Sequence, residues 1–313
     1  MDITLIRSFL EVAATGSFVH AADRLFVTQS AVSQRILRLE EQLGRPLFAR
    51  SKAGVSLTPA GREFESYALS LIKIWEEARQ QIAVPEGFSK TLSIGAQYSL
   101  WPRLGFRLID SVVKEMPDVS IRAEIGLPDR LTRYLLEGVI QFALMYTPQL
   151  RPGLRTKELL SEELILCASW SGASIDTLST RYIMVDWGAE FVQAHALHLP
   201  NLTNPGMTFS LGAMTAEFIR SRKMAAYLPA RYARRFLDDG SLHLVPEAPT
   251  FSHPAWAVWR DDLDPKLSVA IENALSAIVD EIEKGKDEVL KDLADLNEDG
   301  EVAVLGQIEN WME

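Results

Sequence analysis

The sequence predicts an α/β protein with a helical head, one long helix and a larger body in which strands and helices alternate. Residues 1–58 show helical periodicity with one short hairpin pattern, and residues 59–84 carry a single uninterrupted helical stripe. Beyond residue 91, short apolar segments alternate with amphipathic segments, which is typical of a mainly parallel sheet covered by helices. A chain of 313 residues is long enough for two or three domains.

The stretch from Gly16 to Leu43 is predicted to form two helices joined by a tight turn at Phe26-Val27. Ser17 and Thr28 can each accept a hydrogen bond from the unpaired backbone N–H groups at a helix start, so they are the predicted N-caps. Gly44 is expected to end the second helix, because glycine adopts the left-handed conformation of a helix C-terminus without strain.

The second of these helices has one apolar and one polar face. Its apolar residues recur at spacings of three and four, which predicts a shared buried face made of Val32, Ile36, Leu39 and Leu43. The opposite face carries amides, hydroxyls and guanidinium groups, which can bond to base edges and phosphates in a DNA groove. The predicted DNA-binding residues of this helix and its cap are Thr28, Gln29, Ser30, Ser33, Gln34, Arg35 and Arg38.

A basic β-hairpin is predicted to follow. The run LFARSKAGVSLT places strand-forming residues on both sides of Gly54, and Arg50 and Lys52 beside that turn complete the predicted DNA-contact set. A short helix, a turn, a polar-faced helix and a basic hairpin together predict a winged helix-turn-helix domain that binds double-stranded DNA.

These residues resemble the LysR-type transcriptional regulators. From Phe9 to Gly61 the chain reads FxxVAxxGSFxxAAxRLxVTQSAVSxxIxxLExxLGxxLFxR and then LTPAG, which matches the family pattern without a gap. The resemblance implies a two-lobed effector domain of type 2 periplasmic-binding-protein-like fold, a small-molecule effector, and homodimers or dimers of dimers on a pseudo-palindromic operator. It also makes RNA polymerase a candidate partner.

A long helix opening at Thr58-Pro59 is predicted to pair two subunits. Its apolar positions step by threes and fours, as in a coiled-coil seam: Phe64, Tyr67, Leu71, Trp75, Ala78 and Ile82. The alternative is that this stripe packs against its own head. A head of about 60 residues offers little surface to cover the stripe, which favours a partner chain, and the resemblance implies the same.

Domain boundaries follow from changes in periodicity and composition. We expect the chain to cross into a second lobe near Leu159-Leu160 and to return near Asp262. The predicted domains are 1–58 for the winged head, 59–84 for the linker helix, 91–160 with 263–285 for the first effector lobe, 161–262 for the second, and 286–313 for an acidic extension.

A ligand site is expected between the two lobes, at the carboxyl ends of their strands. Ser99 is a predicted cap for the helix that follows the first body strand, so its hydroxyl and the helix N–H groups could bind an anionic effector; a plain N-cap is the alternative. By family resemblance other loops converge there, and the predicted effector-binding residues are Tyr98, Ser99, Leu100, Trp101, Leu127, Tyr146, Thr147, Asp186, Trp187, Gly212, Ala213, Leu228 and Pro229.

Charge is distributed unevenly along a chain whose formal net charge is −10. Residues 1–62 hold eight Lys/Arg against five Asp/Glu, whereas residues 280–313 hold twelve acidic residues against three lysines. A basic head can therefore bind phosphates locally, while the acidic body opposes non-specific adhesion to nucleic acid.

Composition argues against several other classes of protein. Cys167 is the sole cysteine, which excludes an internal disulfide. No apolar run approaches the ~18 residues of a membrane span, and the N-terminus lacks a signal-peptide pattern, so we expect a cytoplasmic protein without a membrane partner. No GxSxG, HExxH or glycine-rich phosphate motif is present, so we expect neither an enzyme nor a cofactor.

Metal binding is not expected either. His195 and His198 stand three apart on a predicted helix, where a solvated face is the favoured interpretation. The run DLNEDGEVAVLG begins like a calcium loop at Asp295, but Gly306 occupies the position that requires a bidentate glutamate.

Three rival functions remain open at this stage. A ligand-independent architectural DNA-binding regulator would have its cleft plugged by aromatic residues. A solute-binding protein would use the same two-lobed fold, but the head and the missing signal peptide oppose it. An enzyme is the weakest rival, because no catalytic set emerges from the sequence.

Overall fold

A computed structural model describes residues 2–51, 54–284 and 304–305 of the chain. Its elements divide between two units, Met1–Thr91 with Arg133–Ile140, and Leu92–Thr132 with Gln141–Glu313. The first unit holds the winged head and the long helix, with α1 Ile3–Thr15, α2 Phe18–Leu25, α3 Gln29–Leu43, β1 Phe48–Ser51, β2 Gly54–Leu57 and α4 Pro59–Ile82.

The α2 and α3 helices begin at their predicted caps. Ser17 accepts a hydrogen bond from the N–H of His20, and the Thr28 hydroxyl accepts one from the N–H of Ala31 at 3.2 Å. The turn between them contains Phe26 with φ 54°, a left-handed backbone that is uncommon for a residue other than glycine.

The head core forms where α1, α2 and α3 meet. Phe9, Val32 and Leu39 are fully buried there. The predicted buried face is wrong at its last position, because Leu43 is 40% exposed. Leu43 is the last helical residue, and Gly44 turns the chain away with φ 68°.

A carboxylate on α3 holds the start of the wing. Glu40 Oε1 accepts hydrogen bonds from the backbone N–H of Leu47 at 2.7 Å and of Phe48 at 3.2 Å. β1 and β2 then pair antiparallel, with Ser51 opposite Gly54. Lys52 lies outside the described residues.

The predicted stripe on α4 divides into two parts. Ala68 and Ile72 are buried in the head core, and the Phe64 ring lies 5.0 Å from that of Phe9. By contrast, Trp75 is 46% and Ile82 86% exposed in the single chain.

Phe64 and Leu71 pack partly against the head core, so less of their surface is available to the predicted seam. Gly61 explains why the N-terminal part of α4 lies so close to the head. A Cβ on Gly61 would stand 2.1 Å from the carbonyl oxygen of Leu47.

The remaining elements form one large sheet with helices packed on it. They are β3 Lys90–Ala96, α5 Phe106–Glu115, β4 Val119–Ile125, α6 Pro128–Leu136, β5 Phe142–Met145, β6 Leu154–Ala168, β7 Tyr182–Val185, α7 Ala189–His198, β8 Met207–Phe209, α8 Thr215–Arg220, β9 Ala225–Pro229, α9 Ala230–Asp238, β10 His243–Leu244, β11 Thr250–Arg260, α10 Pro265–Lys284 and β12 Val304–Leu305.

The sheet has the strand order β4-β3-β5-β11-β6-β9-β7-β8, with β10 paired to β6 and β12 to β11. Strands β3 and β5 are parallel, as are β9, β7 and β8. The two long central strands, β6 and β11, run antiparallel to each other. The predicted parallel sheet is thus interrupted by the segments that cross between lobes.

Two cores define the lobes. The first lobe is built on Leu92, Phe142 and Leu267, and the second on Ile165, Tyr182 and other apolar residues. Strands β6 and β11 contribute to both cores, so each strand runs from one lobe into the other.

The return into the first lobe lies within β11, earlier than the expected Asp262. Phe251 is buried in the second core and Ala255 in the first. The acidic extension contributes β12, in which Val304 pairs with Thr250. The calcium-like positions Asp295 and Gly306 lie outside the described residues.

We predict that Glu40→Ala destabilises the head, because two backbone N–H groups at the start of the wing lose their acceptor. The loss should be about 1–3 kcal/mol of the free energy of unfolding, measured by urea denaturation. Glu41→Ala is the matched control, since Glu41 is exposed on the same helix. Equal stabilities of the two variants would contradict the role assigned to Glu40.

Candidate DNA interface and interlobe site

The polar face of α3 presents part of the predicted DNA-binding set to solvent. Gln29, Ser30, Gln34 and Arg38 are exposed. Arg35 is half-buried, and its Nη1 donates to the Ser8 hydroxyl at 3.3 Å. Arg35 is therefore held partly toward α1 within the head.

The other predicted contacts lie around this face. Thr28 is exposed, but its hydroxyl caps α3 and lies 3.0 Å from that of Ser30. Ser33 is half-buried. Arg50 lies in β1 opposite Val55. The exposed face and the wing strand thus belong to one folded head, as the sequence predicted.

The structure changes the role of Ser99. Residues Tyr98–Leu100 form a single 3₁₀ turn without a side-chain cap, and Trp101–Gly105 form a π-turn before α5 begins. The buried Ser99 hydroxyl instead donates to the Tyr146 hydroxyl at 3.0 Å. The predicted N-cap is therefore wrong, because the turn is too short to present an aligned set of helix N–H groups.

Three aromatic side chains meet between the lobe cores. The Tyr146 ring stacks on His253 with centroids 4.2 Å apart, and Trp187 approaches His253 edge-on at 5.4 Å. All three residues are buried. Tyr146 belongs to the first core and Trp187 to the second, so this aromatic cluster of Tyr146, Trp187 and His253 joins the lobes.

Several predicted loops do converge around this aromatic cluster. The turn Tyr98–Leu100 contacts the turn Gly212–Met214, which includes Ala213. A Cβ on Gly212 would lie 3.7 Å from the Trp187 ring, and one on Gly188 would lie 3.2 Å from Thr147 Cγ2.

The remaining predicted residues are placed differently. Leu100 and Trp101 are buried in the first core and Leu228 in the second, while Pro229 ends the buried strand β9. Leu127 is exposed at the surface. Two further residues, Tyr98 and Asp186, are also exposed, and Asp186 Oδ1 accepts from the N–H of Gly188 at 3.1 Å.

A charged group at the same place was missed by the sequence analysis. Glu162 on β6 is directly opposite His253 on β11. Its Oε1 lies 3.6 Å from Arg103 Nη1 and 3.7 Å from Arg231 Nη1. The available signal was the pair of acidic residues, Glu162 and Glu163, in the mainly apolar run LLSEELILCA.

Burial shifts the pKa values of the ionisable groups around the aromatic cluster. Desolvation and the negative charge of Glu162 raise the pKa of Tyr146, against a lowering by the Ser99 hydrogen bond. Desolvation lowers the pKa of Arg103, and Glu162 opposes this effect. Burial also lowers the pKa of His253 to about 3, so this ring is neutral at physiological pH.

His195 corrects a second prediction. It is fully buried, and its Nε2 lies 2.9 Å from the Tyr182 hydroxyl. Burial lowers its pKa to about 4. The solvated face expected for His195 is wrong because α7 packs that side onto the second core, whereas His198 is exposed.

Within residues 2–51, 54–284 and 304–305, no three His, Cys, Asp or Glu side chains are arranged to hold a metal ion. In the same part of the chain, no helix combines the length and apolarity that crossing a bilayer requires.

A helix-turn-helix head with a two-lobed α/β unit defines a DNA-binding regulator that carries a ligand-binding type of domain. The model of the bacterial regulatory helix-turn-helix protein of the lysR family matches residues 3–62. The LysR substrate binding domain model matches residues 85–278. The chain belongs to the LysR family and is a LysR-type transcriptional regulator.

One curated relative and two solved structures are similar to this chain over most of its length. The HTH-type transcriptional regulator HdfR of Yersinia pestis (strain Pestoides F) is 29% identical over 279 residues, covering 86% of this chain and 94% of that protein. The structure of ArgP from Mycobacterium tuberculosis has a TM-score of 0.52 at 23% identity, covering 89% of this chain and 97% of that one. Vibrio fischeri DarR, solved in complex with DNA, has a TM-score of 0.52 at 20% identity, covering 89% and 98%. These structures share the fold.

The buried histidines predict a pH dependence of stability. Each has a folded-state pKa below its unfolded value, so its contribution is complete above about pH 6.5 and is lost as the pH falls. Between pH 7 and 5.5 we expect a loss of about 1 kcal/mol per buried histidine in urea unfolding. His253→Phe should reduce this slope, and the exposed His198→Phe should not; identical slopes in both variants would contradict the assignment.

Proposed function

We propose that this LysR-type regulator binds a pseudo-palindromic operator as a homodimer and that a small molecule held between its lobes changes operator binding. The protein would act by binding in the cytoplasm and not by catalysis. Contact with RNA polymerase remains an expectation from the family resemblance.

The exposed face of α3 supports direct reading of bases. Gln34 and Gln29 can each bond to adenine N6 and N7, and Arg38 can bond to guanine or phosphate. These three side chains are exposed on one side of a helix whose other side is fixed by the fully buried Val32 and Leu39. The helix is thus positioned by the core and available to a groove.

The exposed apolar residues of α4 support pairing of two chains. Tyr67, Ile74, Trp75 and Ile82 are large apolar side chains that the single chain leaves exposed on one helix. Burying them against a second copy would remove this surface from water. A two-fold pair of heads would then match a pseudo-palindromic site. Tetramers are expected from the family alone.

The proposal of ligand control rests on the crossing of β6 and β11 between the lobes. Glu162 and His253, placed opposite each other on these strands, join the aromatic cluster where both lobes meet. A ligand there would contact both lobes at once. It would change operator binding by its differential affinity for two lobe arrangements.

A ligand-independent architectural regulator is the second candidate. Its support is the burial of Tyr146 and Trp187 between the lobe cores, together with the hydrogen bond from Trp187 Nε1 to the carbonyl oxygen of Tyr227 at 3.1 Å. These rings fill space that an effector would need. A ligand that changes operator affinity would rule out this candidate.

We predict that Gln34→Ala relaxes sequence preference and weakens operator binding by about 1–3 kcal/mol, because a bidentate base contact is lost. Gel-shift titrations against operators selected from a random duplex library would measure both quantities. Gln42→Ala, an exposed glutamine two turns further along α3, is the control. If Gln34→Ala keeps wild-type affinity and preference, this residue does not read bases.

We predict that the double variant Trp75→Asp, Ile82→Asp is monomeric, because two carboxylates would be buried in the seam without partners. Light scattering of the full chain would give the mass, and operator affinity should fall with it. Ser70→Asp adds a charge to an exposed polar position of the same helix and should remain dimeric. A dimeric double variant would refute the seam.

A further inference from the structure

Three charged side chains meet at the crossing of the lobes, and we name Arg103, Glu162 and Arg231 the cleft charge cluster. Arg103 comes from the π-turn that follows β3, Glu162 from β6, and Arg231 from the first turn of α9. The side chains of Glu162 and Arg231 are 5% and 8% exposed. Two guanidinium groups share one carboxylate, so this buried cluster carries an excess positive charge.

Three of the five N–H groups of Arg231 are unused among the described residues. Its Nη1 donates to the carbonyl oxygen of Ser161 at 3.2 Å. Its Nε and Nη2 are buried and have no hydrogen-bond partner in the described part of the chain. These two nitrogens form the edge with which arginine binds a carboxylate through two parallel hydrogen bonds.

A second unused group, of opposite charge, lies on the side chain that Arg231 Nη1 approaches. Glu162 Oε2 is also buried without a hydrogen-bond partner among the residues described, as is His253 Nε2. Leaving such polar atoms without a hydrogen-bond partner away from water is costly. A guanidinium edge and a carboxylate oxygen on neighbouring side chains together match a ligand that carries an acceptor pair and a donor close to each other.

The aromatic cluster borders the same place. Glu162 lies opposite His253, whose ring stacks on Tyr146, and the charges of Glu162, Arg103 and Arg231 all act on the Tyr146 hydroxyl. The charged end of a ligand and its apolar body would therefore find complementary groups within one region of the crossing.

We propose that the cleft charge cluster binds a small α-amino or α-hydroxy carboxylate. The carboxylate pairs with the Nε and Nη2 edge of Arg231, and the adjacent ammonium or hydroxyl group donates to Glu162 Oε2. Because these atoms are buried, the lobes must part along β6 and β11 for the ligand to enter. The inference rests on the proposed ligand control and specifies the class of effector.

The need to pair both unused groups favours this class over phosphate and over plain carboxylates. A phosphate dianion would approach a site with one excess positive charge and would place its oxygens against Glu162. A plain carboxylate would satisfy Arg231 and leave Glu162 Oε2 unpaired. An α-substituted carboxylate satisfies both groups.

Matched ligands test the assignment by thermal unfolding of the full-length protein. The probes form three matched sets, each made of an α-amino acid, its α-hydroxy analogue and its unsubstituted analogue. The sets are L-alanine, L-lactate and propionate; L-leucine, L-2-hydroxy-4-methylpentanoate and 4-methylpentanoate; and L-phenylalanine, L-phenyllactate and 3-phenylpropionate. L-Leucinamide, in which an amide replaces the carboxylate, completes the series. We expect at least one amino or hydroxy acid to raise the melting temperature. Its unsubstituted analogue and L-leucinamide should need at least tenfold higher concentrations for the same shift. The amino and hydroxy arms identify the donor. If none of the probes raises the melting temperature, the proposal is wrong.

Variants of the cleft charge cluster show whether it binds a ligand or serves only as a structural ion pair. Arg231→Met should abolish the shift, and the ligand-free protein should still fold, because Arg103 continues to pair with Glu162. Glu162→Gln should retain carboxylate binding and reduce the preference for the α-amino or α-hydroxy group. Arg234→Met, on the same helix, should respond like the wild type. An undiminished shift in Arg231→Met would overturn the site.

Operator binding of the wild type, measured with and without the same probes, distinguishes the two proposals. Specific operator binding without any melting shift would refute the cleft ligand and leave DNA reading intact. A melting shift that is lost in Arg231→Met but leaves operator binding unchanged would support the site and refute ligand control.

Discussion

The antiparallel pair of β6 and β11 is the constraint on which the effector half depends. Both strands contribute to both lobe cores, so any rotation of one lobe against the other must bend this pair. The register shifts between Ala255 and Trp256, next to Pro254, which cannot donate a ladder hydrogen bond. Glu162 and His253 lie beside this irregular point, so a ligand there would act where the two strands can bend.

Local signals were enough to predict the head. Caps at Ser17 and Thr28 and the stop at Gly44 depend on a few neighbouring residues, and helical periodicity located the buried face. The differences have two causes. Phe64 packs partly against the head core because Phe9 meets it from another helix, and Leu43 is exposed because its helix ends there.

In the effector domain, contacts between distant residues decide more of the structure, so local sequence signals predicted less of it. The strand and helix alternation was predicted, and a crossing between lobes was expected near Leu159-Leu160. Ser99 was assigned as a cap because a serine before a helical run normally caps it, but Tyr146, far along the chain, takes its hydroxyl. The pairing of Glu162 with Arg103 and Arg231 depends on tertiary contact alone, so no local pattern could reveal it.

A site that leaves buried charges incompletely paired gives up stability for binding, as functional sites often do. The most direct test of the central claim is a distance between lobes. Spin labels on Lys114→Cys in α5 and Glu190→Cys in α7 would report it, since the native Cys167 is buried and its pKa is raised to about 12. The account predicts that the carboxylate probe with the largest melting shift changes the distance distribution measured by electron–electron double resonance. An identical distribution with and without that probe would contradict it.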